Sequence, residues 1–315
     1  MTSGGSALVA RPRFSIITSS FNQAQFLEET IRSVHEQGRA DVEHIVMDGG
    51  STDGSLEILR AHDALLAYWV SAPDAGQPAA WNAGVRRARG DIIGFLNSDD
   101  VYRPGALEEI TRLADARADA EWLVGGTSYF GDGGGGLSYP GVAPGSASSV
   151  LYFTAYAPQP GHFLRRALIE RVGSFDESLQ FSFDLDYFVR CALAGARAAA
   201  TERVVAGFRF HAGSKTVARA ALHALDTLAV EARHWPEVER REGRAARSAR
   251  DVYHGRFALG EVRLANAAGR RAEAWRLLAA AVRRYPRVVG TRAFGGTVQR
   301  MLGLRSPRAT THGAR

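Results

Sequence analysis

The sequence predicts an α/β protein, a mostly parallel sheet flanked by helices and followed by an α-helical extension. Three observations carry this. Short apolar runs rich in β-branched residues alternate with amphipathic stretches of helical period through the first half of the chain. Gly-, Asp- and Ser-rich clusters follow those runs directly, as the loops beyond strand ends do. After Lys215 the composition turns to Ala, Arg and Leu at helical spacing.

The elements follow in order. Residues 1–12 show no apolar period and are expected to be disordered; they also lack the basic start and long apolar stretch of a signal peptide. Phe14 to Thr18 reads as a buried strand ending in the Ser19–Asn22 turn, and Gln25 to Gln37 as a helix with Phe26, Leu27, Ile31 and Val34 on one face. His44 to Met47 is a second strand, closed by the loop Asp48-Gly49-Gly50-Ser51-Thr52-Asp53-Gly54-Ser55, with Ser55 as N-cap of the next helix. Tyr68 to Ser71 is a third strand, Pro78 to Arg89 a helix, and Asp91 to Leu96 a fourth strand ending in Asn97-Ser98-Asp99-Asp100. Strands separated by single helices lie parallel, and such sheets hold ligands beyond the strands' carboxyl ends. Pro104 to Ala118 is a further helix. The Gly- and Ser-rich stretch Gly125 to Ser149 suits a hairpin tip or mobile loop, and Phe163 to Val172 and Leu185 to Leu193 read as helical. The organisation is therefore a terminus over 1–12, a sheet domain over 13–216 and a basic helical region over 217–315.

The net charge of +6 over 315 residues hides a division. Residues 1–216 hold 19 basic and 25 acidic side chains, so the body is acidic and all of the excess positive charge lies in the remainder. A basic helical region suits an anionic membrane surface or a solvated Arg face; nothing in it interleaves aromatic residues to stack bases, so nucleic acid is not expected. The single cysteine, Cys191, excludes an internal disulfide and fits a reducing, cytoplasmic setting. No apolar run approaches the roughly 18 residues that a membrane span needs.

Carboxylates at strand ends serve to bind a hard cation, to hydrogen-bond a nucleotide or to move a proton. Asp99 and Asp100 suit Mg²⁺ or Mn²⁺ bridging phosphates, or else cap the following helix. Asp48 and Asp53 sit in a Gly-rich loop able to approach a ligand, or form an ordinary turn. Asp184 and Asp186 start a helix, one as cap and the other as general base, or both as caps. His211, beside the cationic Gly213-Ser214-Lys215 segment, is a metal or pyrophosphate contact or a plain surface histidine. The chain has no GxxxxGK[ST], no GxGxxG after the first strand, and no CxxC, HExxH or GxSxG, which excludes P-loop NTPases and leaves oxidoreductase, zinc and hydrolase readings without support.

The segments FSIITSSFNQAQFLEETIRSV, HIVMDGGSTDGS, SAPDAGQPAAWNAGVRRARGDIIGFLNSDD, FLRRALIERVGSFDESL, FDLDYFVR and FRFHAGSKT, in that order over residues 13 to 216, together resemble a family 2 glycosyltransferase. The resemblance implies a GT-A fold, a nucleotide-sugar donor, a divalent cation (Mg²⁺ or Mn²⁺) and inversion at the anomeric carbon. It implies that Thr18, Ser19, Phe21 and Asn22 line the nucleotide pocket, that Asp48 contacts the base and that Asp53 supports that loop. Asp74, Gln77 and Asn82 face the ribose and sugar. Asn97-Ser98-Asp99 stands where the family has DxD, with Asn in the first position, Asp99 the metal ligand and Asp100 beside it. Asp184 matches the catalytic base, preceded by Phe183 where the family has Glu, and Asp186 is the alternative. His211, Ser214 and Lys215 resemble the loop that closes over the diphosphate. A growing polysaccharide or lipid-linked glycan is the expected acceptor, with peripheral membrane contact through the basic region. Two other readings stay open: a non-catalytic nucleotide-sugar-binding protein, and a sugar nucleotidyltransferase, against which stands the lack of a basic residue in SSFNQAQF after the first strand.

Overall fold

The computed structural model describes residues 1–5, 12–132, 135–154, 158–214 and 219–302. Two compact units result. One comprises the described residues up to Pro236 apart from Tyr152–Thr154; the other comprises Tyr152–Thr154 and the described residues from Glu237 on.

The first unit is built on a ten-stranded sheet. Its strands are β1 (Thr2–Gly4), β2 (Phe14–Ser20), β3 (Val42–Asp48), β4 (Tyr68–Ser71), β5 (Ile92–Phe95), β6 (Val101–Tyr102), β7 (Trp122–Gly131), β8 (Ser138–Tyr139), β9 (His162–Arg165) and β10 (Ala198–Phe210). They lie in the order β1-β4-β3-β2-β5-β9-β7-β10-β6, with β8 beside β7. The neighbours β4, β3, β2 and β5 run parallel, as do β7 and β10; β9 is antiparallel between β5 and β7. Every residue of β2 is buried, as a strand covered on both faces requires.

The crossovers between the parallel strands are helical: α1 (Ala24–His35), α2 (Ser55–Ala61) and α3 (Gln77–Arg87), with α4 (Ala106–Ala116) after β6. Leu27 and Ile31 of α1 pack with Val46, Leu59, Leu66 and Trp69 in one apolar cluster. Ile110 and Leu113 of α4 pack with Phe14, Ile16, Leu123, Phe163 and Val205 in another. Between β8 and the end of the unit come α5 (Ala147–Leu151), α6 (Arg166–Val172), α7 (Phe183–Leu193) and α8 (Ala220–Glu242), whose residues up to Pro236 belong to this unit. The second unit holds α9 (Arg244–Ala267), α10 (Arg271–Arg284) and α11 (Arg292–Met301), joined by a core of Leu259, Val262, Leu278, Val288 and Met301. Among the described residues no helix is long and apolar enough to cross a membrane.

The four expected strands and the helices between them are present. Elsewhere the structure departs from the sequence reading. Within the terminus expected to be disordered, Thr2–Gly4 adds an antiparallel edge strand to β4, and the Gly5 amide donates to Asp63 Oδ1 at 2.7 Å. Gly125 to Gly131 belongs to a central strand, not to a loop. Gly125 and Gly126 lack side chains because the Val205 side chain and the Tyr139 and Arg203 carbonyls occupy the space a Cβ would need. Residues 162–165 extend as β9 before α6 begins, and β10 had no strand assigned in the sequence reading. Ser55 is the first helical residue of α2, and the N-cap is Gly54 at φ 101°. Asp99 and Asp100 do not cap the next helix, since β6 intervenes and Gly105 precedes α4.

Helix α3 lies close on β2 through Gly84, where an added Cβ would overlap the fully buried Ile17 side chain. A helical Gly→Ala change ordinarily gains up to about 1 kcal/mol. Here overpacking, about 1–3 kcal/mol, outweighs it. Gly84→Ala is expected to lower the urea midpoint of unfolding; a raised midpoint would refute the close approach.

Candidate active site

Four parallel strands end on one edge of the sheet, and their loops meet there. A cavity of about 470 Å³ opens over them. Ser19, Ser20 and Phe21 reach it from the end of β2, Gly49 from β3, Asp74, Gly76 and Gln77 from the loop after β4, and Asn97, Ser98 and Asp99 from the loop after β5. The opposite wall is supplied by Gln159, by Gln180, Phe181, Phe183 and Asp184 around the start of α7, by Phe208 and Ser214, and by His223 of α8. Trp81 of α3 forms part of the floor, with its indole N–H donating to Ser19 Oγ at 3.1 Å and its ring stacked on Phe95.

The structure thus brings Ser19, Phe21, Asp74, Gln77, Ser98, Asp99, Asp184 and Ser214 together at one cavity. Phe21 is 62% exposed at the mouth. The other sequence candidates shape the walls. Thr18 is buried with its Oγ1 3.0 Å from His44 Nε2; burial, with His35 nearby, pushes the His44 imidazole down to about 3 and keeps it neutral. Asn22, at φ 52°, accepts from the Thr52 amide and donates its own amide to Ser51 Oγ. Asp53 accepts from the amides of Ala24 and Ser55 and from Ser55 Oγ. Asp48 is 2% exposed, and its carboxylate accepts from Gly50 N, Ser51 N, Ser51 Oγ and Ser71 Oγ. These bonds knit the loops after β2, β3 and β4 into one body. Asn82 is buried and holds the 175–177 segment: its Nδ2 donates to the Phe175 carbonyl and to Glu177, and its Oδ1 accepts from the Phe175 amide. Lys215 lies outside the described residues.

Asp99 and Asp100 have separate fates. Asp99 lines the cavity, with Oδ2 3.0 Å from Nε2 of His211, whose ring packs on Phe26. Asp100 is 1% exposed and turned into the protein, accepting from the Arg209 amide at 2.9 Å and from Asn97 Nδ2 at 3.3 Å. Burial first, and then Asp99, holds the Asp100 carboxyl well above the usual carboxylate range. Among the described residues no three His, Cys, Asp or Glu converge as metal ligands. Asp99 and His211 form a pair of one hard oxygen donor and one imidazole at the cavity edge. Mg²⁺ and Mn²⁺ are held by one or two carboxylates when substrate phosphates and waters complete the set, which Asp99 suits.

Asp184 and Asp186 also divide. Asp184, in the first turn of α7, faces the cavity, and burial raises its carboxyl above the ordinary value, opposed by the Leu185 amide and by His223. Asp186 is 1% exposed, ion-paired to Arg190 and Arg233, with His234 Nε2 at 2.8 Å. Burial works against its ionisation, but His234 and Arg190 together hold its carboxyl below the ordinary value.

Sequence reasoning missed Trp81, Gln180, Phe181, Phe208 and His223. The last comes from a helix beyond the recognised segments. α8 is fixed to the site through Asp226, which accepts from the Gln180 and Phe181 amides, and through Thr227 against Ser182 Oγ at 2.8 Å. No sequence motif marks that bracing. Three buried polar atoms on the cavity residues, Ser20 Oγ, Gln23 Oε1 and Ser214 Oγ, have no hydrogen-bond partner among the described residues. Buried polar groups are satisfied in most folded proteins, so this cluster points to a polar ligand.

Residues 15–162 match glycosyl transferase family 2. An uncharacterized glycosyltransferase of Mycobacterium tuberculosis is 32% identical over 190 residues, which span 59% of this chain and 71% of that protein. TuaG of Bacillus subtilis, named for teichuronic acid biosynthesis, is 30% identical over 126 residues, 39% of this chain and 50% of that one. Among solved structures, S. aureus TarS residues 1–349 with UDP-GlcNAc superposes with a TM-score of 0.55 at 20% identity, over 64% of this chain and 60% of that one. The mannosyltransferase PcManGT of Pyrobaculum calidifontis, with GDP-Man and Mn²⁺, also gives 0.55, at 22% identity over 93% of this chain and 87% of that one. At these identities the structural likeness is one of fold, and the fold is of the GT-A kind.

Removing one partner of a buried ion pair costs about 3–5 kcal/mol. Asp186→Asn is expected to lose about 3 kcal/mol of stability at pH 7, since Arg233 is half exposed. Because the folded carboxyl sits below its unfolded value, its contribution is present above the ordinary carboxylate range and is lost as pH falls through the lowered value. Urea unfolding should therefore show the gap between wild type and variant closing in acid. Asp184→Asn, which relieves a buried charge, should cost little. Equal costs for the two variants would contradict this division.

Proposed function

Because this chain belongs to glycosyl transferase family 2 and is a glycosyltransferase, we propose that it moves a sugar from a nucleoside-diphosphate donor to a hydroxyl acceptor, with inversion, in the cavity above β2–β5. The observation that carries this reading is the convergence of Asp74, Asp99, Asp184 and three unpartnered polar atoms on one cavity at the carboxyl edge of the sheet. Support also comes from the structural neighbours, one holding UDP-GlcNAc and another GDP-Man with Mn²⁺.

The donor's base lies against Phe21 and the loops shaped by Asn22, Asp48 and Asp53. The diphosphate lies toward Ser20, Gln23 and Ser214. Asp99 and His211 would hold Mg²⁺ or Mn²⁺, which supplies charge neutralisation to the departing diphosphate. The acceptor enters between Gln180, Phe181 and His223. As its oxygen attacks the anomeric carbon, Asp184 takes the hydroxyl proton, and the nucleoside diphosphate leaves with the electron pair of the broken bond. A base whose pKa is raised by burial accepts a proton more readily than an ordinary carboxylate. In-line attack inverts the anomeric carbon without a covalent enzyme intermediate. The name of TuaG supports a surface polysaccharide as acceptor, with a lipid-linked glycan as the related form. In the second unit, exposed Phe257, Leu264 and Trp275 among many arginines support peripheral contact with an anionic membrane.

The test compares Asp184→Asn with wild type. General-base removal costs about 10²–10⁴-fold in rate. Turnover of the nucleotide-sugar donor is expected to fall by about that factor while the nucleoside diphosphate binds unchanged by calorimetry. In the wild type, activity should fall as acid protonates Asp184, with the midpoint above the ordinary carboxylate range. Undiminished turnover in the variant would remove Asp184 from the chemistry. Asp99→Ala should abolish the dependence of nucleotide binding on Mn²⁺; persistence of that dependence would place the cation elsewhere.

A further inference from the structure

The position where the family's DxD begins is Asn97, and the structure gives its amide a task. Gln77 Nε2 donates to Asn97 Oδ1 at 2.6 Å. Asn97 Nδ2 donates to Asp100 Oδ2 at 3.3 Å and approaches Gln159 Oε1 at 3.5 Å. Gln159 Nε2 donates to the Phe95 carbonyl at 2.7 Å. Donation therefore runs in one direction, from α3 across the β5 loop to the turn before β9 and into the sheet. All three amides line the cavity.

We propose that Gln77, Asn97 and Gln159 form a carboxamide ladder that binds the hydroxyl groups of an uncharged donor sugar, and that position 97 must be an amide for the ladder to exist. The proposal rests on reading the cavity as the donor site. An aspartate at 97 loses both N–H donors. It would set a carboxylate against Gln159 Oε1 and against Asp100, which is itself buried beside Asp99. The rungs leave Gln77 Oε1 and a second N–H on each glutamine, a mixed set of acceptor and donors that matches sugar hydroxyls, which both give and accept protons. The described residues lining the cavity include Asp74, Asp99 and Asp184 but no Lys or Arg. Among the described lining residues a sugar carboxylate would meet no Lys or Arg and three acidic side chains.

The experiment is calorimetry on the full chain in Mn²⁺. UDP and GDP alone are measured first, and the tighter one fixes the nucleotide. UDP-glucose and UDP-GlcNAc are then set against UDP-glucuronic acid, or GDP-mannose against GDP-mannuronic acid. The neutral sugar is expected to bind at least about tenfold more tightly than the uronate, the scale of one mismatched buried charge or hydrogen bond. Asn97→Asp is expected to weaken the neutral-sugar donor about tenfold while changing the nucleoside diphosphate less than about twofold. Gln77→Glu, at a helix start that tolerates an acid, provides a second variant that should fold and shift affinity in the same direction. A uronate that binds as tightly as the neutral sugar overturns the proposal. So does an Asn97→Asp variant that gains Mn²⁺-dependent nucleotide affinity with unaltered sugar preference, which would make position 97 a metal-side residue. If neither UDP nor GDP binds, the donor-site reading falls first and the ladder with it.

Discussion

The turn Asn97–Asp100 is the constraint on which the rest of the site depends. It is held from three sides. Thr30 Oγ1 of α1 lies 2.9 and 2.7 Å from the carbonyls of Ser98 and Asp100. Arg209 at the end of β10 donates its amide to Asp100 and its Nε to the Asp99 carbonyl, while its guanidinium pairs with Glu29 and covers the Phe26 and Phe130 rings. Gln77 of α3 closes the third side through Asn97. A buried carboxylate without partners is costly, so Asp100 can occupy its place only while these strands and loops are in register. Its burial fixes where Asp99 points, and the same strand end sets His211 against it.

A division of labour among the acidic residues follows. Those that accept several N–H or O–H groups, or several cations, hold elements together: Asp48 and Asp53 for the loops after β2 to β4, Asp100 for the β5 turn, Asp186 for α7 and α8. Asp74, Asp99 and Asp184 instead line the cavity. Sequence spacing alone does not separate Asp99 from Asp100 or Asp184 from Asp186. The helix and the turn do, because adjacent and alternate residues leave the backbone in different directions.

This is why the fold was more legible than the site. Strands β2 to β5 are continuous apolar runs with turn residues after them, and α1, α3 and α4 carry apolar faces, so both periods stand out. β7 was hidden by glycines whose cause is tertiary, the approach of Val205 and of the Tyr139 carbonyl. β9 is only four residues long and runs straight into α6. At the site, the strand-end clusters were visible as composition. The wall made by Trp81, Phe181 and His223 was not, since those residues meet only through the packing of α3 and α8 against the start of α7. Asn82 carries a role its motif position does not reveal: its amide bonds Phe175 and Glu177 and so ties α3 to the segment before α7.

The central claim is that one edge of the sheet, where β2 to β5 end, is the ligand surface of this glycosyltransferase. Amide hydrogen exchange with and without a nucleoside diphosphate and Mn²⁺ tests it most directly. The account predicts protection in the segments 19–23, 48–55, 72–77, 97–100 and 209–214, with the opposite ends of the same strands unchanged. Protection confined to the helices after Glu237, or to the amino ends of the strands, would contradict it.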